Sequence, residues 1–131
     1  MQRTNSDPSD IEIDKWQVQL RKGSLALAVL ATLWNGERYG LEIIRELQRV
    51  PIFSVAEGTI YPLLNRLKTS GFIASEWIDG GSGHPRKYFR LTLAGRRYAQ
   101  DLARTWSEFA QGMDSLLIPL HKRNQGGRRA S

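Results

Sequence analysis

Hydrophobic and polar positions follow a helical pattern between residues 54 and 72, SVAEGTIYPLLNRLKTSGF. Apolar residues recur there every three or four positions, which is the spacing of one face of an α-helix. They are Ile60, Leu63, Leu64 and Leu67. The opposite face holds Gly58, Tyr61, Pro62, Asn65 and Thr69, with Arg66 to one side. The pattern predicts a helix with one buried face and one polar, hydrogen-bonding face that is open to a nucleic acid.

Both ends of this helix carry signals of their own. Ser54 followed by Glu57 fits a capping box, and Gly71 is suited to the left-handed conformation that ends a helix. Pro62 lies inside the pattern, where it removes a donor and crowds the carbonyl of Gly58. The sequence therefore predicts a kinked helix.

Three helical segments are predicted before it. Residues 1–10 are polar and predict a flexible arm, and residues 11–20 predict a helix that packs on a partner. Residues 24–34 are apolar on nearly every side, which is typical of a helix within a core. After a break at Asn35 and Gly36, residues 39–50 show an amphipathic helix that Pro51 stops.

Residues 72–79 and 86–91 alternate weakly and flank a glycine-rich stretch, which predicts a β-hairpin with a flexible tip. On the second strand, alternation places Arg86 and Tyr88 on one face and Lys87 and Phe89 on the other. Thr92 then fits the N-cap of a further helix.

The last helix has a regular apolar seam with spacings of four and three. Its residues are Leu102, Trp106, Phe109, Met113, Leu116 and Leu120. We expect this seam to form a homodimer interface; the alternative is packing on the first helix of the same chain. Pro119 is expected to end the helix, and residues 121–131 to be a disordered basic tail.

The fold class predicted from this order is mainly α with a small β-hairpin, a winged helix-turn-helix with a C-terminal dimerisation helix. The arm would occupy residues 1–10, the winged-helix DNA-binding domain 11–92, the dimerisation helix 93–120 and the tail 121–131. One ordinary domain accounts for a chain of 131 residues.

Composition narrows the functional class. The net charge is +6 and the pI about 10.1, which favours a polyanionic partner, although a basic solubilising surface would give the same values. Cysteine is absent, and His84 and His121 have no ligand neighbours, so we expect no metal and no cofactor. Neither paired carboxylates in an apolar segment nor a phosphate-binding glycine loop is present, so we expect no catalytic residues and no enzyme. No apolar run predicts a membrane segment or signal peptide, and a cytoplasmic location is expected.

Several motifs resemble those of the PadR family of bacterial transcriptional regulators. They are KGSLALAVL at 22–30, YGLEI at 39–43, EGTIYPLLNRL at 57–67, GFI at 71–73, SEW at 75–77, PRKYFRLT at 85–92 and LAG at 93–95. The resemblance covers residues 20 to 117. It implies a winged-helix DNA-binding domain and a C-terminal dimerisation helix, as in the subfamily with a single such helix. It also implies a repressor that is released by small molecules, often aromatic ones.

The resemblance also implies which residues contact double-stranded DNA. They are Thr59, Tyr61, Asn65 and, beside them, Arg66 on the recognition helix, and Arg86 and Lys87 on the wing. Tyr61 has an alternative role as a core ring folded over the hairpin, and Asn65 as an ordinary surface residue. Many family members have arginine at the wing tip, where this chain has Gly83 and His84.

Trp106 and Phe109 are the residues expected to contact a small aromatic effector, because the family can bind flat ligands at the dimer interface. The alternative is that they and Met113 only fill the interface. The function predicted is a repressor that binds a near-palindromic operator as a homodimer. A competing hypothesis is a winged-helix homodimer that binds a ligand or a protein and has lost DNA affinity; linear dependence of log affinity on log salt distinguishes the two.

Overall fold

The computed structural model describes residues 7–81 and 83–129, with side chains described as far as His121. In this part of the chain there are four helices and three strands. The helices are α1 (Pro8–Thr32), α2 (Gly40–Leu47), α3 (Glu57–Thr69) and α4 (Leu93–Arg129). The strands are β1 (Arg38–Tyr39), β2 (Ile73–Ile78) and β3 (Arg86–Leu91), and a 3-10 turn spans Pro51–Phe53. The predicted fold class, mainly α with a small hairpin, is confirmed.

These elements form two compact units, one that ends at Ala99 and one that begins at Gln100. The first unit holds an apolar core, to which α1, α2, α3, β2, β3 and the start of α4 contribute. Its buried residues are Leu25, Val29, Leu30, Leu33, Ile43, Ile44, Leu47, Ile60, Leu63, Leu64, Leu67, Ile73, Phe89, Leu91 and Ala99. Burial of a Leu or Ile side chain contributes about 1.5–3 kcal/mol, so this set holds the three-helix arrangement together.

Helix α1 is longer than the sequence predicted. It begins at Pro8, within the segment expected to be an arm, and continues without a break to Thr32. Asp7 caps it by accepting a hydrogen bond from the amide of Ser9 at 3.1 Å, and proline is favoured at the first helical position. Gly23, which lies between the two predicted segments, costs a helix only about 1 kcal/mol and does not interrupt it.

Helix α2 is held to its neighbours by Arg38, at the short strand β1 that the sequence did not predict. The Arg38 Nε donates to the carbonyl of Thr32 at 2.7 Å, and its guanidinium lies 3.8 Å from Glu46. The Tyr39 amide donates to Glu42 Oε1 at 3.1 Å at the start of α2. Strand β1 has two residues, too few to produce a period-2 pattern.

The start predicted for α3 is wrong, and its end is confirmed. The N-cap is Ala56, and no side chain caps it, because Ser54 instead closes the preceding 3-10 turn. At the other end Gly71 has φ +84°, and the Phe72 amide donates to the carbonyl of Leu67 at 3.0 Å. Pro62 lies inside the helix, as predicted.

The predicted hairpin is present as β2 and β3, and β1 adds a third antiparallel strand beside β3. The pairs Ile73–Leu91, Ser75–Phe89 and Trp77–Lys87 lie on one face. Ile73, Phe89 and Leu91 are buried, so this is the core face of the sheet. Arg86, Tyr88 and Arg90 lie on the other face, as the alternation predicted.

The start of α4 is fixed to the turn that follows α3. Thr92 caps the helix as predicted, accepting from the Gly95 amide at 3.0 Å and donating to the Gly71 carbonyl at 2.6 Å. The Thr92 amide also donates to the Phe72 carbonyl at 3.1 Å. Tyr98 stacks on Phe72 with 4.0 Å between ring centroids. Four interactions therefore fix the first turns of α4 within the first unit.

The far end of α4 differs from the prediction. Pro119 lies inside the helix rather than at its end, and the helix continues to Arg129, where a disordered tail was expected. A proline removes one backbone hydrogen bond and crowds one carbonyl, which a long helix can accommodate by bending. The rest of the predicted arm (residues 1–6) and of the tail (residues 130–131) lies outside the described residues. No helix within the described part of the chain is long and apolar enough to cross a membrane.

Gly95 provides a test of how tightly α4 is held. A Cβ at this position would lie 2.8 Å from the carbonyl carbon of Phe72 and closer still to its oxygen. Because these are backbone atoms that Thr92 also bonds, they cannot move aside. We expect Gly95→Ala to lower the free energy of unfolding by about 2 kcal/mol or more, although alanine favours helix.

Gly23→Ala is the matched control, because a Cβ there meets no atom within 4 Å. It should leave the urea midpoint unchanged or raise it slightly. Both midpoints are measured at one protein concentration. Equal midpoints for Gly95→Ala and the wild type would show that the close approach at Phe72 has no energetic consequence.

Candidate nucleic-acid interface

Helix α3 separates its side chains as the periodicity predicted. Ile60, Leu63, Leu64 and Leu67 are 0–5% exposed. The residues of the opposite side, which we call the α3 outer face, are all exposed: Gly58, Thr59, Tyr61, Pro62, Asn65, Arg66 and Thr69. This face therefore displays hydroxyl, amide and guanidinium groups from one rigid helix. A helix of this kind fits the width of the B-DNA major groove.

The N-terminal turn of α3 is exposed and has no side-chain cap. Its first amides point out of the helix, where the helix dipole favours a negative group such as phosphate. Glu57 is the acidic residue in this turn. It is the one position of the turn that would repel a polyanion.

Tyr61 is the aromatic residue of the α3 outer face, and it retains 38% exposure. It is therefore not the core ring that the alternative interpretation described. Its phenol lies against Gly40, the buried first residue of α2. Partial burial, and then the negative charge of Glu57, raise the pKa of the Tyr61 phenol. The phenol consequently stays protonated at neutral pH and can donate a hydrogen bond.

A cleft of about 320 Å³ lies between α3, the start of α2 and the wing formed by β2 and β3. Its lining is mostly aromatic and basic: Tyr39, Gly40, Leu41, Tyr61, Trp77, Arg86, Lys87 and Phe89. Lys87 is half-buried, with its Nζ 5.9 Å from the ring centroids of both Trp77 and Phe89. The cleft thus joins the recognition helix to the wing.

Arg86 and Lys87 are neighbours in sequence but lie on opposite faces of the wing. Lys87 is on the core face, directly opposite Trp77. Arg86 lies on the outer side with its guanidinium 4.5 Å from the centre of the Tyr39 ring. The two residues that were predicted to contact DNA from the wing therefore lie on opposite faces of it. Lys87 shares its face with the buried residues Ile73, Phe89 and Leu91.

The tip of the wing contains a turn that the sequence did not predict. Asp79 Oδ1 accepts from the amides of Gly81 at 3.0 Å and Gly83 at 3.2 Å. Both glycines have positive φ, of 92° and 79°, which other residues rarely adopt. An Asx-type turn of this kind gives the tip defined backbone contacts.

The basic residues differ in how far their charge is already neutralised. Arg90 lies 3.3 Å from Glu76, and Arg38 pairs with Glu46. Arg66 and Lys87 have no carboxylate within ion-pair distance in residues 7–81 and 83–121. Lys68 on α3 and Arg86 on the wing also form no ion pair among the described residues. Uncompensated charge attracts phosphate, so these four side chains supply attraction at the interface.

The second unit consists of α4 from Gln100 onwards. Leu102 is half-buried, while Trp106, Phe109, Met113 and Leu116 are 48%, 55%, 37% and 72% exposed. The Trp106 and Phe109 rings lie with their centroids 6.1 Å apart. The predicted seam is thus a continuous apolar row on one side of a helix, and the two candidate effector residues are adjacent on it.

Sequence reasoning missed five residues of the cleft: Tyr39, Gly40, Leu41, Trp77 and Phe89. Trp77 is 68% exposed, and its place opposite Lys87 follows from the strand register, which alternation alone does not give. Gly40 had a weak signal, a glycine where a helix begins. No cluster of three metal-ligating side chains is found in the described part of the chain.

Comparisons with known proteins agree with this geometry. Residues 29–101 match the Transcriptional regulator PadR-like family. The chain is 30% identical over 95 residues to the transcriptional regulator Rv3488 of Mycobacterium tuberculosis, covering 71% of this chain and 85% of that protein. The crystal structure of a PadR family transcriptional regulator from Eggerthella lenta aligns with TM-score 0.73 and 34% identity, over 84% of this chain and 96% of that one.

A second similar structure is that of Bacillus subtilis PadR in complex with operator DNA. It aligns with TM-score 0.56 and 28% identity, over 60% of this chain and 46% of that chain. The match to the family model covers more than half of the chain, and it includes α2, α3 and the wing. The chain belongs to the PadR-like family of transcriptional regulators.

Proposed function

We propose that this regulator binds double-stranded DNA with the α3 outer face in the major groove and the wing beside it. One observation carries the proposal: a rigid helix displays Thr59, Tyr61, Asn65 and Arg66 to solvent while its other side is fixed in the core. The operator complex of Bacillus subtilis PadR, a member of the same family, supports it. A role at the chromosome also places the protein in the cytoplasm.

Within this interface the side chains have different roles. Thr59 and Asn65 have hydroxyl and amide groups that can read base edges, and Tyr61 offers a neutral phenol and an apolar ring. Arg66, Arg86 and Lys87 position the protein by contacting phosphate. Both side chains line the cleft, Lys87 from the core face of the wing and Arg86 from the opposite face, beside Tyr39.

Charge-neutral variants test the phosphate contacts. Arg66→Gln and Lys87→Gln should each weaken binding across all sequences and lower the slope of log affinity against log salt by about 1, because each releases one counterion fewer. Binding is measured by fluorescence anisotropy on a duplex selected from a random-sequence library, at several salt concentrations.

Arg104→Gln is the matched control, because Arg104 lies on α4 and already pairs with Asp101. Its slope should equal that of the wild type. If the wild type selects no duplex, or binds with an affinity that salt does not alter, the competing hypothesis of a winged-helix protein without DNA affinity replaces this proposal.

The exposed row on α4 supports a homodimer. A single α-helix with large apolar residues on one side normally buries them against another helix. A two-fold dimer would place two α3 helices in successive major grooves about 34 Å apart, so we infer a near-palindromic operator. Occupying it in a promoter makes the protein a repressor.

Phe109→Glu should dissociate this dimer, since each interface would then bury two carboxylates without partners. We expect the dissociation constant to rise by at least about 100-fold, measured by light scattering coupled to size exclusion. Ser107→Glu adds the same charge on an exposed position away from the row and should leave the mass unchanged. A monomeric wild type would contradict the dimer.

Trp106 and Phe109 are also our candidates for contact with a small aromatic effector, because adjacent exposed rings can stack on a flat molecule. A panel of planar aromatic compounds should quench tryptophan fluorescence in the wild type and in Trp77→Phe, but not in Trp106→Phe. The same compounds should weaken DNA binding. Quenching that persists in Trp106→Phe would show that these rings only fill the interface.

A further inference from the structure

Gly40 and Tyr61 approach each other more closely than any side chain at position 40 would allow. A Cβ built on Gly40 would lie 2.6 Å from Cζ and 2.7 Å from Cε1 of Tyr61, and closer still to the phenol oxygen. These three atoms of the Tyr61 ring are the nearest heavy atoms to that position. The outer edge of the ring therefore occupies the space that a side chain on α2 would fill.

This contact matters because part of the Tyr61 side chain is exposed to solvent. The side chain stands on the exposed side of α3 and keeps 38% of its surface in contact with solvent. A tyrosine in such a place normally samples several rotamers, and fixing one of them on binding costs about 0.5–1.5 kcal/mol. The backbone of α2 provides a flat surface against which one rotamer can rest. The raised pKa of the phenol agrees with a ring that is partly removed from water.

We propose that Gly40 is a positioning residue for DNA binding: its missing side chain lets the Tyr61 ring lie on the start of α2 and fixes the direction in which the phenol faces the duplex. This inference rests on the proposed function, since it takes Tyr61 as a DNA contact. Gly40 itself is buried. The recognition helix would thus depend on α2 for the placement of a side chain as well as for its own packing.

A double-mutant cycle tests the proposal on the selected duplex. Tyr61→Ala should weaken binding about tenfold, the size of one lost hydrogen bond to a charged group. Gly40→Ala should weaken binding by a similar factor in the presence of Tyr61, because its methyl group displaces the ring. In the Tyr61→Ala background the methyl has room, so Gly40→Ala should then change affinity by less than about twofold.

We expect the Gly40→Ala and Tyr61→Ala variants and their combination to fold. The methyl of Gly40→Ala meets the free end of a surface side chain, which can swing into water, and Gly40 does not have the positive φ that alanine avoids. Urea midpoints measured for each variant test this expectation. Gly23→Ala, whose methyl meets open space, is the matched control; it should not alter binding, and its midpoint should be unchanged or slightly raised.

A second readout does not involve DNA. With ¹³Cζ-labelled tyrosine, NMR titration of the wild type should give Tyr61 a pKa above 10, and Gly40→Ala should lower it towards 10 as the ring moves into water. Gly23→Ala should leave it unchanged. A role for Gly40 in forming α2 alone would not move this pKa.

Three results would overturn the inference, and they are distinguishable. Equal losses from Gly40→Ala in both Tyr61 backgrounds would show that it acts through α2 itself. An unchanged Tyr61 pKa in Gly40→Ala would show that the ring had not been displaced. Wild-type affinity of Tyr61→Ala would remove Tyr61 from the interface and refute this inference, while the salt dependence of Arg66→Gln and Lys87→Gln would still test the proposed function.

Discussion

The burial of one side of α3 is the constraint on which the rest of the structure depends. Its four apolar residues are almost fully removed from water, against α2 and β2. Turning the helix by a quarter of a turn would expose some of them, at about 1.5–3 kcal/mol each. The same burial therefore stabilises the first unit and fixes which residues α3 presents outwards. The α3 outer face is rigid because the opposite face cannot move.

Close backbone approaches place the neighbours of α3. Gly95 lets α4 start directly against Phe72, and Gly40 lets Tyr61 rest on α2. In both cases the absence of a Cβ determines where an element or side chain lies. Hydrogen bonds from Thr92 and the positive φ of Gly71 complete the junction between α3 and α4. The two glycines, which have no side chain, thus help to set the geometry around the recognition helix α3.

The positions of the basic side chains say more about where phosphate would bind than the net charge does. The net charge of +6 includes arginines whose charge is already paired, such as Arg90 with Glu76. Arg66, Lys68, Arg86 and Lys87, on α3 and at the wing cleft, form no ion pair among the described residues. Because exposed pairs attract a distant polyanion weakly, the unpaired charges decide where phosphate is drawn. This distribution follows from the sheet register and the helix packing.

The sequence by itself determined which segments are helical, which face of α3 is buried, the hairpin and its alternation, the caps at Gly71 and Thr92, and the family. These features are encoded within a few residues of one another, so local spacing reveals them. The sequence pattern misplaced the start of α3 at Ser54, divided α1 near Gly23 and ended α4 at Pro119. These predictions failed because single Ser, Gly and Pro residues act differently in different surroundings. Only the tertiary structure decided that β1 joins the sheet, that Trp77 lies directly opposite Lys87, and that Gly40 supports Tyr61. Such relations join residues distant in sequence, and their distances are set by how the whole core packs.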